Sequence, residues 1–280
     1  MKLKYVKRTP KNIRLNSTKK INNILEGKYK SIVKGKKSIF DSLRDYDLYD
    51  DIKYIDWKSS AKHNKLLIKQ YKNENNYNIN IILDSSYTFD AHTDKNEIKR
   101  LISIYTCATI GTISLKNNDK LNIIINNNSF KINDIYQLDN ILQKYETTIS
   151  KNNTINNSLE LLLNNKSIIF LITDIKNLNN IDLSIINKLS VNNNILIINI
   201  NDHNITGRNL YKINNNKNIP SFFTNDKKLL NKEIELKSKI LNNKKEELSK
   251  YRIPITSISS QKEIITKLIK LLEEYKYANK

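Results

Sequence analysis

Glycine is scarce in this chain, with four residues, at positions 27, 35, 111 and 207, among 280. They cannot be assembled into a phosphate-cradling loop or a Gly-x-Gly-x-x-Gly dinucleotide turn, so the chain does not read as an ATPase or a nicotinamide enzyme. Histidine is scarcer. His63, His92 and His203 stand far apart, with no Cys or His neighbour at zinc-site spacing. The single cysteine, Cys107, cannot close an intrachain disulfide; within the run "EIKRLISIYTCATIGTISL" it reads as a small buried apolar residue. No apolar stretch reaches the roughly 18 residues of a membrane span. The N-terminus "MKLKYVKRTPKNIRLN" lacks the apolar core of a signal peptide. A cytoplasmic protein without a transmembrane segment is the expectation.

What is present is Lys, Asn and Ile. Hydrophobic residues make up 39% of the chain, enough to bury a core in one large domain or one domain with an appendage. The formal net charge is +20, yet Arg occurs only at 8, 14, 44, 100, 208 and 252. Abundant Lys, Asn and Ile beside scarce Gly, Ala and Pro resemble the codon bias of an AT-rich genome. Lysines spread over every element lack the concentrated stripe of a groove reader, which argues against nucleic acid as the partner. The block "KYKSIVKGKK" is the exception and leaves peripheral contact with an anionic surface as one expectation.

Three regions follow from the pattern. Residues 1–40 form a basic, weakly structured lead-in with a short helix expected near Lys19–Leu25. Residues 41–77 concentrate acidic and aromatic side chains, with a strand expected at Lys65–Tyr71. From residue 78 to 280 strands and helices alternate. Strands are expected at Ile79–Leu83, Lys120–Ile125, Phe130–Ile132, Ser167–Thr173, Ile195–Ile200, Ser221–Thr224 and Pro254–Ile258. Helices are expected at Lys95–Leu115, Ile135–Tyr145, Ile155–Leu163, Asp182–Ser190, Lys227–Tyr251 and Gln261–Tyr277. Continuous apolar strands alternating with helices imply an α/β fold, a doubly wound, mostly parallel sheet covered on both faces.

The segment "NINIILDSSYTFD" carries the chemistry. A buried strand ends in Asp84, Ser86 and Thr88, whose alternation lines them on one small site at the strand's carboxyl end, where such sheets bind ligands. A carboxylate with two hydroxyls suits a hard divalent cation. Two later donors stand in similar settings: Thr154, which reads equally as the N-cap of the helix from Ile155, and Asp174, which follows the apolar run "SIIFLIT" and reads equally as a turn residue.

The stretch from Phe40 to Phe89 resembles the bacterial family called domain of unknown function 58. Arg44, Tyr46, Asp50, Asp51, Ile55, Asp56, Trp57 and Ala61 stand where that family has its Arg-x-Tyr, paired-aspartate and Ile-Asp-Trp signature. Weaker matches continue in order through Lys95, "NNDKLNIII" and "NNTINNSLELLL" to about residue 275. The resemblance implies a von Willebrand factor A-like, Rossmann-like three-layer sandwich with a metal-ion-dependent adhesion site. Asp84, Ser86, Thr88 and Thr154 would be its oxygen donors, Asp174 would contact the metal directly or through water, and Mg²⁺ (or Mn²⁺ or Ca²⁺) would be the ion. It implies a non-enzymatic adaptor working with a MoxR-type AAA+ ATPase and other von Willebrand factor A-like proteins in a chaperone-like or stress-related complex. Arg44, Tyr46, Asp50, Asp51, Asp56 and Trp57 form either a docking face or a structural block in which Trp57 packs on the sheet and Asp51 or Asp56 pairs Arg44. The chain departs from the family pattern at Tyr49, Lys53, Thr88 and the asparagines 126–128 and 152–153, which leaves room for a fold retained without its metal. The alternatives are a metal-dependent hydrolase or nuclease, and polyanion or membrane-surface binding through the basic N-terminus.

Overall fold

The computed structural model describes residues 5, 25, 29, 39–46, 55–72, 77–148, 155–202 and 227–278. The expected short helix at 19–25 (apart from Leu25) and the strand at 221–224 lie outside them, as do Asp50, Asp51 and Thr154.

Chain order gives β1 (Ile39–Asp45), α1 (Trp57–His63), β2 (Leu67–Lys72), β3 (Asn78–Leu83), a 3₁₀ turn (Tyr87–Asp90), α2 (Lys99–Lys116), β4 (Lys120–Ile125), β5 (Asn128–Ile132), α3 (Ile135–Thr147), α4 (Ile155–Glu160), β6 (Ile168–Thr173), α5 (Ile175–Asn179), α6 (Leu183–Asn192), β7 (Asn194–Ile200), α7 (Lys227–Ser249), β8 (Ile255–Ile258) and α8 (Ile264–Ala278). The strands form a six-stranded sheet ordered β5-β4-β3-β6-β7-β8, parallel except for β5, and a separate antiparallel pair β1-β2.

Strand alternation divides the core between two faces. Ile79, Ile81, Leu83, Phe170, Ile172 and Ile198 meet α2, α3 and α8 on one face. Ile82, Ile169, Leu171, Ile195 and Ile197 meet α4, α5, α6 and the end of α7 on the other. Both faces are covered, which is why these strands read as unbroken apolar runs rather than alternating ones. The result is an α/β sandwich of helices around a mostly parallel sheet, compatible with a Rossmann-like fold.

The scarcity of glycine has a structural answer. Asn64, Asn96, Asn118, Asn126 and Asn127 all adopt positive φ, the left-handed region that Asn enters more readily than other non-glycine residues. Asn126 and Asn127 together make the two-residue connection between β4 and β5, where positive φ at both positions is the hairpin requirement. Asn96 likewise turns the chain ahead of α2, so that helix begins at Lys99 rather than at Lys95.

Candidate functional site

The chain leaves β3 toward β4 on one side, while β6 pairs with β3 on the other. The sheet order therefore reverses between β3 and β6, and a crevice beyond the carboxyl ends of such strands is where doubly wound sheets place ligands. Asp84 follows β3 directly, Asp174 follows β6, and Asp202 lies two residues past β7.

Of the five expected metal donors, four meet there. Ser86 Oγ and Thr88 Oγ1 are 2.7 Å apart. Thr88 donates its hydroxyl to Asp174 Oδ2 at 2.6 Å. Asn177 Nδ2 donates both to Ser86 Oγ at 2.8 Å and to Asp84 Oδ2 at 2.7 Å, linking the two aspartates' neighbourhoods. Asp84 also accepts from Thr173 Oγ1 at 2.8 Å and, on its other oxygen, from the Ser86 N–H at 2.9 Å. Asp174 Oδ1 caps α5 by accepting from the Asn177 N–H at 2.9 Å. The fifth donor, Thr154, is outside the described residues.

The two carboxylates differ in their electrostatics. Burial pushes the Asp84 carboxyl above its ordinary value, outweighing the donors from Ser86, Thr173 and Asn177. Burial alone would do the same to Asp174, but the Lys99 ammonium, with hydrogen bonds from Lys99, Thr88 and the Asn177 N–H, holds its carboxyl below the ordinary value.

Sequence reasoning missed Lys99, along with Asn177 and Asp202. The Lys99 side chain is fully buried at the start of α2, with Nζ 2.7 Å from Asp174 Oδ2 and hydrogen-bonded to Asp202. The ammonium lies 5.1 Å from the Phe89 ring centroid. A signal was available: Lys99 stands three residues before Ile102 and eight before Cys107, on the side of the helix that the apolar spacing buries. Arg100, next to it, pairs with Asp90 at 2.8 Å and donates to the Thr148 carbonyl at 2.7 Å and the Ser86 carbonyl at 3.4 Å. Arg100 thus ties the Ser86 turn to the end of α3, while Tyr145 of α3 donates its hydroxyl to the Asp84 carbonyl. Cys107 is buried, and burial pushes its thiol up, so it carries no reactive thiolate.

Whether these residues suit a divalent cation turns on the hydroxyl lone pairs. Thr88 gives its one hydrogen to Asp174, so Ser86 gives its own to Thr88. Ser86 accepts from Asn177 and Thr88 accepts from Ser86. Each oxygen then keeps one unused lone pair. Adjacent hard oxygens with carboxylates close behind fit Mg²⁺, Mn²⁺ or Ca²⁺. Ser86 and Thr88 would hold the ion and Asp84 and Asp174 would supply its negative surroundings; the chemistry it would supply there is that of a Lewis acid. Among the described residues, no three His, Cys, Asp or Glu side chains form a group that could hold a metal by themselves.

For the Arg44–Trp57 region, one part of the structural block that stood beside a docking face as an expectation is not seen, the packing of Trp57 on the sheet, while a pairing of Arg44 with Asp51 lies outside the described residues. Trp57 opens α1 with 63% of its surface exposed instead of packing on the sheet. Asp56 caps α1, accepting from the Ser59 N–H at 3.2 Å and the Ser59 hydroxyl at 3.1 Å, and pairs with Lys69 at 3.6 Å. Arg44 donates to the Asp45 carbonyl at 3.1 Å, and the Tyr46 N–H bonds the Leu66 carbonyl at 3.0 Å, closing the β1-β2 pair. No described helix is long and apolar enough to cross a membrane.

A family model described as "Protein of unknown function DUF58" matches residues 42–135, about a third of the chain. That span runs from the Arg44–Trp57 region through the Asp84–Thr88 turn and Lys99 to the start of α3, and it supports the resemblance to this family there. No curated protein and no solved structure matches the chain.

Proposed function

We propose that this chain is a von Willebrand factor A-like binding module whose docking point is the crevice between β3 and β6. An acidic side chain of a protein partner would be held there through a divalent cation on Ser86 and Thr88. The observation that carries this reading is the convergence of Asp84, Ser86, Thr88 and Asp174 at the switch point, with a lone pair left on each hydroxyl oxygen. Hydrolytic metal sites need charge neutralisation and an activated nucleophile, and therefore more carboxylates. A donor set made mostly of hydroxyls favours adhesion over catalysis. Following the resemblance, the partner is a MoxR-type AAA+ ATPase. Trp57, exposed on α1, supplies a second contact, since a large exposed aromatic next to capped, ordered backbone is a common interface anchor.

The test is capture of a MoxR-type ATPase by the purified protein in Mg²⁺, in EDTA, and with Asp84→Ala. Capture in Mg²⁺ that EDTA or the substitution abolishes is the expected result. Because Trp57 is the only tryptophan, its emission reports whether α1 joins the interface; a blue shift on binding is expected. Capture that survives both EDTA and Asp84→Ala but collapses with salt would sink metal-bridged docking in favour of charge-driven contact through the basic N-terminus.

A further inference from the structure

We propose that Lys99 is the resident cation of the switch-point site: its ammonium occupies the Asp174 oxygen that a divalent ion would draw on, and any such ion binds in competition with it. The inference rests on the docking reading above and concerns what regulates that site.

The observations are geometric. Asp174 Oδ2 receives two hydrogen bonds, from Thr88 at 2.6 Å and from Lys99 Nζ at 2.7 Å. The same ammonium reaches Asp202, so one buried cation joins the loops after β6 and β7. Between these two carboxylates the ammonium is paired on both sides. Lys99 has no exposed surface, so water does not screen the interaction as it would at the rim. Two carboxylates, Asp174 and Asp202, share this one ammonium, and the neighbouring guanidinium of Arg100 is engaged by Asp90.

Two consequences follow. The ion-free protein has its acidic crevice already bridged, so it folds without metal. A divalent ion entering beside Ser86 and Thr88 meets the positive charge of Lys99, which weakens its hold. Lys99 thus makes metal loading sensitive to a partner's carboxylate, whose negative charge offsets that repulsion.

The experiment is titration of Mn²⁺, followed by the electron paramagnetic resonance of the free ion, into the wild-type protein, Lys99→Met and Lys99→Met/Asp202→Asn. The double variant removes one charge of each sign, so it keeps the net charge and guards against a Lys99→Met protein that fails to fold. The expected result is Mn²⁺ bound at least about tenfold more tightly by both variants than by the wild type, from the lost repulsion between like charges. Wild-type binding with no gain in the variants would overturn the role of Lys99 and leave metal-bridged docking standing. Absence of binding in all three proteins would overturn both. Binding by the variants alone would confirm the resident cation and remove the metal from the docking reading.

Discussion

At the scale of single residues, the site is a polar network whose buried charges decide its stability. Asp174 and Lys99 are both fully buried, and breaking a buried pair by removing one partner leaves the other charge uncompensated. Asp174→Asn should therefore destabilise the protein by about 3 kcal/mol at pH 7, measured by urea unfolding. The pH dependence has a definite sign. The Asp174 carboxyl is held below its ordinary value, so its contribution is fully present above the unfolded value of about 3.9 and is lost as pH falls through the lower folded value. The gap between wild type and variant should hold from pH 7 to 5 and close below about pH 4; a gap that widens in acid would refute the assignment. Asp84, Ser86, Thr88 and Asp174 were legible in the sequence because each closes or follows an apolar run, a position that strand geometry fixes. Lys99 was not. In a lysine-rich chain its type carries no signal, and only its place on the buried side of α2 distinguishes it. Asp202 and Asn177 escaped for a related reason, since they contribute through loops and a short helix that leave no periodic trace.

At the scale of elements, what the sequence revealed depended on how much apolar surface each one buries. β3, β4, β6 and β7 lie in the middle of the sheet, and their expected limits fall within a residue of the observed ones. α1 went unseen because its one buried residue is Ser60, so no apolar period marks it; its start is set by the Asp56 cap. α8 was visible as an amphipathic run, but its beginning is set by Ser260 and Glu263, which form a capping box ahead of it. Glu263 accepts from the Ser260 N–H at 3.0 Å and pairs with Lys95 at 2.9 Å, which anchors the turn before α2 to the start of α8. Burial opposes ionisation there, yet Lys95 and the Ser259 and Ser260 N–H groups outweigh it and hold the Glu263 carboxyl below its ordinary value. Glu263→Gln keeps an acceptor but loses the charge, and should cost about 0.5–1 kcal/mol at pH 7. That cost is present above the ordinary glutamate value of about 4.3 and should vanish as pH falls through the depressed one, so chemical unfolding at pH 7 and pH 3 checks it. An equal cost at both values would mean that the amide fails as a cap and that the charge contributes little.

At the scale of the whole molecule, three described residues of the basic lead-in belong to the core of the domain it precedes. Tyr5, Leu25 and Tyr29 are buried in the same core cluster as β3, α2 and α3. Tyr29 donates its hydroxyl to Asp119 at 2.8 Å and shares a hydrogen bond with Ser114 at 3.0 Å, while the Tyr5 N–H donates to Asp139 at 2.7 Å. These contacts fall on the outer side of α2 and on α3 and the turn before β4, away from the carboxyl-end crevice. Composition hid this, because three large side chains among many lysines look like a solvated segment. Burying each contributes about 1.5–3 kcal/mol before the cost of ordering the segment. Removing residues 1–38 should therefore lower unfolding stability by on the order of 4 kcal/mol and uncover apolar surface on α2 and α3, seen as new binding of a hydrophobic dye. Metal uptake should be unchanged if the shortened protein still folds, because Asp84, Ser86, Thr88, Asp174 and Lys99 draw no described contact from the lead-in. An unchanged unfolding midpoint would separate the lead-in from the core and return its lysines to the role of a charged surface arm. A lowered midpoint with intact Mn²⁺ binding would instead place the lead-in in the scaffold and leave recognition to the crevice between β3 and β6.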